Sequence, residues 1–187
     1  MRLLHLLRDQ TATAAAEMAL VLPILLTLMF GAFELGNYFQ AEHVLQKAVR
    51  DAARYAARQP MSYTDGSGNV ITNYDCSASP PAVDSTAQTD IQEVARFSDP
   101  SGTTDGKTSR LSGWSSDTMA TVTLSCDTDT SDSYVNNGVY ADFPNSGAVP
   151  VVTVSATVPY NMLFGSYVFG SATLNLNATS QAAVIGA

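Results

Sequence analysis

The sequence predicts an α+β protein: a long N-terminal helix, first transmembrane and then amphipathic, followed by a small antiparallel-sheet domain with one packed helix. Three observations lead to this fold class. Residues Met18–Phe33 form a run of 16 residues without a charge. Apolar side chains then recur at three- and four-residue steps as far as Ala56, which is typical of an amphipathic helix. In the last third of the chain, apolar and polar residues alternate, which is typical of antiparallel strands with one buried face.

The charge of the chain differs between its two ends. Residues 1–60 carry six Lys or Arg and five Asp or Glu, whereas residues 61–187 carry three and twelve. The net charge of -9 over 61–187 would repel nucleic acid, so we expect no nucleic-acid partner. We interpret 1–12 as a leader, 13–58 as the transmembrane helix and amphipathic stem, and 61–187 as an exported α+β domain.

Glu17 stands at the start of the apolar run. A hydrocarbon core of ~30 Å needs roughly 20 helical residues, so the run spans it only if the small residues before Glu17 also enter. A carboxylate there is expensive and is therefore a functional candidate. If the chain is cut between Ala12 and Thr13, the new α-amine of Thr13 could pair with Glu17 of a neighbouring subunit. The alternative is an interfacial Glu that reaches water near the positive end of the helix dipole.

Three residues inside the predicted membrane helix interrupt its regular side-chain surface. Pro23 should bend the helix or loosen one turn, because it removes a backbone hydrogen bond. Gly31 and Gly36 would let another helix approach closely. Proline and glycine are also common in membrane helices in general, so a packing role and a purely compositional one both stay open.

The amphipathic stem has an apolar seam and a basic side. The seam residues are Leu35, Tyr38, Leu45, Val49, Ala52 and Ala56. The basic side carries Lys47, Arg50, Arg54 and Arg58. These cations could meet the acidic domains of neighbouring copies, or they could form a solvated face with internal pairs such as Lys47–Asp51.

Both cysteines, Cys76 and Cys126, lie in the acidic part of the chain. Two cysteines in an exported domain favour a disulfide over two free thiols. In the chain-entropy description, closing a loop of ~50 residues stabilises the fold by about 4 kcal/mol. The cysteines, and the lack of a stop-transfer charge cluster, favour a cytoplasmic N-terminus with the bulk of the chain outside the inner membrane.

The sequence after the stem predicts a turn, a helix and several strands. Residues 65–69 have turn chemistry and precede a short strand at Val70–Thr72. Ser85 and Gln88 resemble a capping box and begin a helix that ends near Phe97, with its buried face at Ala87, Ile91, Val94 and Ala95. Residues 98–118 form a long loop in which Leu111 and Trp114 are the apolar side chains to bury.

Alternation predicts the strands of the sheet. Residues 119–126 form one strand with Ala120, Val122, Leu124 and Cys126 on one face. Two further strands follow, with Val152, Val154, Ala156 and Val158 inward in the first and Ala172, Leu174, Leu176 and Ala178 inward in the second. Residues 134–140 predict a small hairpin with an Asn-Gly turn.

Chemistry-bearing residues are sparse. Asp127, Asp129 and Ser131 have the opening spacing of a calcium loop. Asp132 and Gly138 occupy the positions that need Gly and Glu, so a polar turn is the better interpretation. We expect neither a metal nor another cofactor. The only two histidines, His5 and His43, lie in the leader and on the stem, and neither can readily reach the distal Ser, Asp or Cys residues. We therefore expect no enzymatic activity.

The first sixty residues resemble a known family. The run Ala16–Pro23, then Gly31, Glu34 and Gly36, then Ala48 and Ala52–Arg54 is similar to the TadE-like family, the minor pilins or pseudopilins of the tight-adherence (Flp, type IVc) pilus system. The resemblance covers about a third of the chain. Where the family prefers Gly before the leader cut, this chain has Ala12, and where an aromatic residue usually follows the Glu it has Met18.

The resemblance implies a function and partners. A prepilin peptidase would remove the leader, Glu17 would become the fifth residue of the mature chain, and the helix would pack with other pilin or pseudopilin subunits in the inner membrane or the pilus. The expected function is thus a pilin-like, non-catalytic membrane-anchored subunit of a Tad pilus. The alternative is a membrane-anchored envelope protein whose acidic domain binds a ligand or surface glycan and is not part of a filament.

Overall fold

A computed structural model describes residues 10–100, 106–127, 148–164 and 173–185. The α+β prediction is confirmed, because a long N-terminal helix precedes short antiparallel sheets and a second helix. The chain divides into two compact units. The first contains residues up to Gln40 together with 162–172, and the second contains Ala41–Asn161 and Thr173–Ala187.

Helix α1 is Gln10–Arg58 and continues through Pro23. It ends two residues before Pro60, which cannot continue a helix, and the cation of Arg58 lies in its last turn, where it complements the helix dipole. Over the part that belongs to the second unit, the predicted seam is buried at Leu45, Val49, Ala52 and Ala56. Leu35, in the first unit, is exposed instead.

Two short hairpins follow α1. Strand β1 (Ser62–Thr64) pairs with β2 (Val70–Thr72), and β3 (Tyr74–Asp75) pairs with β4 (Ala82–Val83), both antiparallel. The predicted turn at 65–69 joins the first pair, where the Asp65 carboxylate accepts hydrogen bonds from the backbone N–H groups of Ser67 and Asn69. These hydrogen bonds lower the pKa of Asp65, the one from Asn69 most. Gly68 has φ of +86°, a left-handed conformation that a glycine adopts without strain.

Helix α2 is Ser85–Phe97, and its end agrees with the prediction. The predicted start is wrong by one residue, because Asp84 rather than Ser85 is the N-cap: its carboxylate accepts from the N–H of Thr86. Asp caps as well as Ser does, and it stands one position earlier. The predicted apolar face at Ala87, Ile91, Val94 and Ala95 is buried. Gln92 donates to the Ala120 carbonyl, which ties α2 to the strand that begins there.

In the described part of the chain, the main sheet has three antiparallel strands in the order β5-β6-β7. They are β5 (Ala120–Asp127), β6 (Val149–Pro159) and β7 (Asn175–Ala183). In β6 the predicted inward residues Val152, Val154, Ala156 and Val158 are buried, as are Ala120, Val122 and Leu124 in β5.

The last strand begins later than its sequence pattern predicts. Leu174, predicted inward, is 50% exposed and precedes β7. The strand instead runs on to Ala183, because its register with β6 pairs Leu176 with Val158 and Ala183 with Val151. Ala172 and the predicted hairpin at 134–140 lie outside the described residues.

Residues 106–116, before the 3-10 turn Asp117–Met119, pack by side chains and polar contacts without forming a strand or helix of their own. Trp114 is fully buried, as the sequence predicts, and Leu111 is partly buried. Arg96 of α2 donates to the carbonyls of Trp114 and Ser115 and to the Asp117 carboxylate. One arginine thus joins α2 to the residues that lead into β5.

Candidate functional site: the apolar segment of helix α1

The apolar side chains of α1 before Gln40 are exposed. The exposed fractions include 73% for Leu20, 70% for Leu28 and 61% for Phe33. A stretch of 18 residues in this segment is strongly apolar, and the described part of the protein buries none of it. A contiguous apolar surface of this extent is unusual for a water-soluble monomer. The segment is long and apolar enough to cross a membrane, which indicates membrane anchoring.

The three residues that interrupt this surface are placed as follows. Helix α1 stays helical at Pro23, and the Thr27 hydroxyl donates to the Pro23 carbonyl over 2.8 Å. A Cβ added at Gly31 or at Gly36 would meet nothing within 4 Å. Packing among the residues that the structure describes therefore requires neither glycine. A role in helix–helix packing, which needs a second molecule, stays a prediction.

Glu17 is exposed on α1. Ala12 and Thr13, which flank the predicted cut, are helical, while residues 1–9 of the predicted leader lie outside the described residues. The pairing of Glu17 with a neighbour's amine involves two subunits, so it also stays a prediction.

The basic side of the stem lies at the surface, since Lys47, Arg50, Arg54 and Arg58 are all exposed. Asp51, the expected partner of Lys47, instead makes an ion pair of 2.9 Å with Arg110. Arg110 is 59 residues further along the chain, and it also donates to the Val94 carbonyl of α2. The example of an internal i,i+4 pair, Lys47–Asp51, is therefore wrong, because the fold brings the cation of Arg110 from a distant loop to Asp51.

The structure joins Cys76 and Cys126 in a disulfide with a Cα–Cα distance of 5.8 Å. It links the residue after β3 to the end of β5. The carboxylate of Asp75, next to Cys76, accepts from the N–H groups of Ser77 and Ala78 and from the Ser77 hydroxyl. These hydrogen bonds lower the pKa of Asp75, and the bond from the Ser77 hydroxyl has the largest effect.

Of the weak calcium candidate, Asp127 ends β5, while Asp129 and Ser131 lie outside the described residues. Within the described part of the chain, no group of three or more His, Cys, Asp or Glu side chains is arranged to hold a metal ion.

A cavity of about 490 Å³ in the second unit was not predicted from the sequence. Its lining includes Tyr55, Tyr63, Asn73 and Asp90. Asn73 is buried and donates to the Pro60 carbonyl, and its side-chain oxygen has no hydrogen-bond partner among the described residues. Burial raises the pKa of Asp90, with a further contribution from the charge of Glu93. No local sequence motif predicts this cavity, because its lining residues come from three separate stretches of sequence.

The contacts of Glu34 were also not predicted from the sequence. The TadE-like pattern contains it, but the pattern says nothing about what its carboxylate bonds. In the structure its carboxylate accepts hydrogen bonds from the backbone N–H groups of Leu163 and Phe164, about 130 residues further along the chain. The one sequence feature that could have marked Glu34 as a functional candidate is its position, as a lone carboxylate directly after the last residue of the uncharged run.

Comparison with known proteins bears on the N-terminal segment. The family model described as TadE-like protein matches residues 12–54. No curated protein and no solved structure matches the chain. The matched stretch contains Glu17, the whole exposed apolar surface and most of the buried seam of the stem. The resemblance to the TadE-like family is thereby confirmed for residues 12–54, and it associates this chain with Tad pilus systems.

Proposed function

We propose that this chain is a minor pilin or pseudopilin of a Tad (Flp) pilus, a membrane-anchored structural or assembly subunit without catalytic activity. One observation carries the proposal: the TadE-like match over 12–54 includes the whole stretch of α1 whose apolar side chains are exposed. That surface gives the chain a means of residing in a bilayer and of contacting similar helices there.

Assembly would proceed through the membrane helix. Within lipid, helices associate by close packing, and small residues let their backbones approach. The open space beside Gly31 and Gly36 leaves room for the helix of another pilin or pseudopilin subunit. Glu17, near the cytoplasmic end of the apolar run, would pair with the Thr13 amine of a neighbour and set the register between subunits. Each charge would then offset the desolvation of the other.

The proposed topology is single-pass in the inner membrane, with a cytoplasmic N-terminus and a periplasmic or extracellular C-terminal domain. The disulfide between Cys76 and Cys126 supports an exported second unit, because disulfides persist in oxidising compartments. In this arrangement a prepilin peptidase acts at Ala12 and Thr13 from the cytoplasmic side.

The native N-terminus tests the proposal. Intact-mass and peptide mass spectrometry of the chain isolated from the membranes of cells that express a Tad system should find a mature protein beginning at Thr13. A chain that still begins at Met1 in those cells would contradict processing and would favour the anchored binding protein.

The role of Glu17 has its own test. Glu17→Gln removes the charge and keeps the shape, and we expect it to reduce the number of assembled pili strongly. Glu42→Gln is the matched control on the same helix, and it should leave assembly unchanged. Equal pilus numbers in Glu17→Gln and wild-type cells would remove the proposed role of that carboxylate.

The cavity of the second unit favours a second candidate, an envelope protein that binds a ligand or glycan. The rings of Tyr55 and Tyr63, with the free oxygen of Asn73, are groups of the kind that line polar ligand sites. Binding of soluble oligosaccharides to the full-length protein, lost in Tyr63→Ala, together with an uncut N-terminus, would support this candidate over the pilin.

A further inference from the structure

Glu34, the first charged residue after the uncharged run, holds a distant segment of the chain against helix α1. The Leu163 N–H donates to both carboxylate oxygens of Glu34 over 3.1 Å each, and the Phe164 N–H donates to one of them over 2.9 Å. Two successive backbone donors thus converge on one carboxylate. The bonds are charge-assisted, which makes them stronger than neutral ones. We call residues 162, 163 and 164 the 162–164 segment.

A second contact fixes the same segment one helical turn earlier. The ring of Phe30 lies against the ring of Phe164, with centroids 4.8 Å apart and planes inclined by 39°. Phe30 and Glu34 are four residues apart on α1 and therefore share one face of the helix. The 162–164 segment consequently runs along this face beside the last turn of the apolar run.

The length of the apolar run sets the depth of that contact. At 1.5 Å per residue, the 16 residues Met18–Phe33 cover about 24 Å, which is less than the ~30 Å of a hydrocarbon core. All 16 residues of the run must therefore lie within the hydrocarbon core if the run spans it. Phe30 lies about 4.5 Å before the C-terminal end of the run, measured along the helix axis. Because Phe164 touches Phe30, it lies at the same depth in any bilayer that the run spans.

Two backbone N–H groups of the contact and the Glu34 carboxylate satisfy one another at that depth. Backbone N–H groups need partners where water is excluded, and a carboxylate near lipid is costly when it stands alone. The Glu34 carboxylate and the N–H groups of Leu163 and Phe164 meet both needs. Outward from the contact, the Leu163 side chain is apolar and 58% exposed, which suits a surface that faces acyl chains.

We propose that the 162–164 segment is a second membrane-contacting element, inserted among lipid acyl chains beside α1, and that Glu34 is its positioning residue. The proposal rests on the membrane-spanning role of Met18–Phe33. The occupant around Leu163 is lipid, because the same depth that places Phe164 in the hydrocarbon surrounds it with acyl chains.

Depth-dependent quenching of a fluorophore tests the insertion. The two native cysteines are joined in a disulfide, so a cysteine introduced as Leu163→Cys in the full-length protein can be labelled selectively with an environment-sensitive dye. The protein is reconstituted in phosphatidylethanolamine and phosphatidylglycerol vesicles that contain doxyl-labelled lipids. Labels at Phe33→Cys and at Val70→Cys serve as the membrane and exposed references, since both side chains are well exposed.

We expect the Leu163 label to be quenched about as strongly as the Phe33 label and far more than the Val70 label. A Leu163 label at the Val70 level, beside a strongly quenched Phe33 label, would overturn the insertion while leaving the anchor intact. An unquenched Phe33 label would overturn the anchor itself, and with it both proposals. A Leu163 label shielded from lipid only at high protein density would place a second copy there and overturn the lipid assignment.

The role of Glu34 is tested in the same vesicles. Glu34→Ala removes both acceptors, so the quenching of the Leu163 label should fall to the Val70 level while the Phe33 label keeps its value. Glu42→Ala removes a carboxylate further along the same helix and should change neither label. Unchanged Trp114 fluorescence would show that the second unit still folds in the variant. Persistent quenching of the Leu163 label in Glu34→Ala would overturn the positioning role.

Discussion

Arg96 shows how a single side chain can organise a stretch of chain without regular structure. Its guanidinium donates to the carbonyls of Trp114 and Ser115 and makes an ion pair of 3.2 Å with Asp117. Trp114 is fully buried, and Arg96 donates to its carbonyl in a partly buried place. A surface arginine would contribute little, whereas one with three acceptors in a partly buried place should matter.

We predict that Arg96→Met lowers the free energy of unfolding by about 2 kcal/mol, because the partly buried Trp114 carbonyl and Asp117 carboxylate each lose a donor. Urea unfolding of the full-length protein in a mild detergent, followed by the fluorescence of Trp114, measures the change. Arg54→Met is the matched control at an exposed position of α1 and should leave stability nearly unchanged. Equal unfolding curves for both variants would contradict the role of Arg96.

Tyr74 is buried, and its hydroxyl donates to the Ala56 carbonyl of α1 over 2.7 Å. Burial raises the pKa of Tyr74 above its usual value, with a smaller contribution from Tyr55. The folded protein therefore holds this proton more tightly than the unfolded chain does. The resulting stability is fully present below the ordinary tyrosine pKa of 10.0 and is lost as pH rises through the raised value.

Tyr74→Phe should lower the free energy of unfolding by about 1 kcal/mol at neutral pH, since it removes one hydrogen bond. Above about pH 10 the gap between wild type and variant should shrink, because phenylalanine has no proton to lose. Unfolding curves collected from neutral to alkaline pH provide the measurement. A gap that stays constant across the alkaline range would contradict the assigned titration.

At the scale of elements, the alternation and the helical spacing of apolar residues predict which face of each strand or helix is buried. The buried faces of α2, β5 and β6 follow from spacing because neighbouring residues set which side is apolar. Two boundaries fail for physical reasons that spacing cannot express. Asp84 takes the cap of α2 one residue before Ser85, and the register with β6 begins β7 at Asn175 and leaves Leu174 exposed.

Gly113 marks a close approach between the 106–116 loop and β6. A Cβ at this position would overlap the carbonyl oxygen of Pro159 and lie 3.4 Å from a methyl group of Val158. Both neighbours belong to a strand whose backbone is held by its pairing with β7. The loop can therefore accommodate an added methyl group only by moving away from the strand.

Gly113→Ala should reduce the free energy of unfolding by about 1–3 kcal/mol, the usual cost of overpacking. Gly66→Ala is the control, since a Cβ at that position would meet nothing within 4 Å and stability should change by less than about 0.5 kcal/mol. Thermal or urea unfolding of both variants decides the matter. A Gly113→Ala protein as stable as Gly66→Ala would show that the approach is looser than described.

For the whole molecule, the sequence predicts the chemical character of each part but not the contacts between distant residues. The exposed apolar segment and the acidic remainder follow from composition. The pairs Asp51–Arg110 and Glu34–Phe164 do not, because residues far apart in sequence meet only after the chain has folded. The cavity lined by Tyr55, Asn73 and Asp90 is unpredictable for the same reason.

The most direct measurement extracts membranes that contain the full-length chain with alkaline carbonate, which strips peripheral proteins. We expect the wild-type protein to stay in the membrane pellet and to dissolve only with detergent. A variant with Leu25→Lys and Leu28→Lys should enter the soluble or degraded fraction, because a charge at the centre of a membrane helix is costly. Recovery of the wild-type protein in the carbonate supernatant would contradict the claim that residues 18–33 reside in a bilayer.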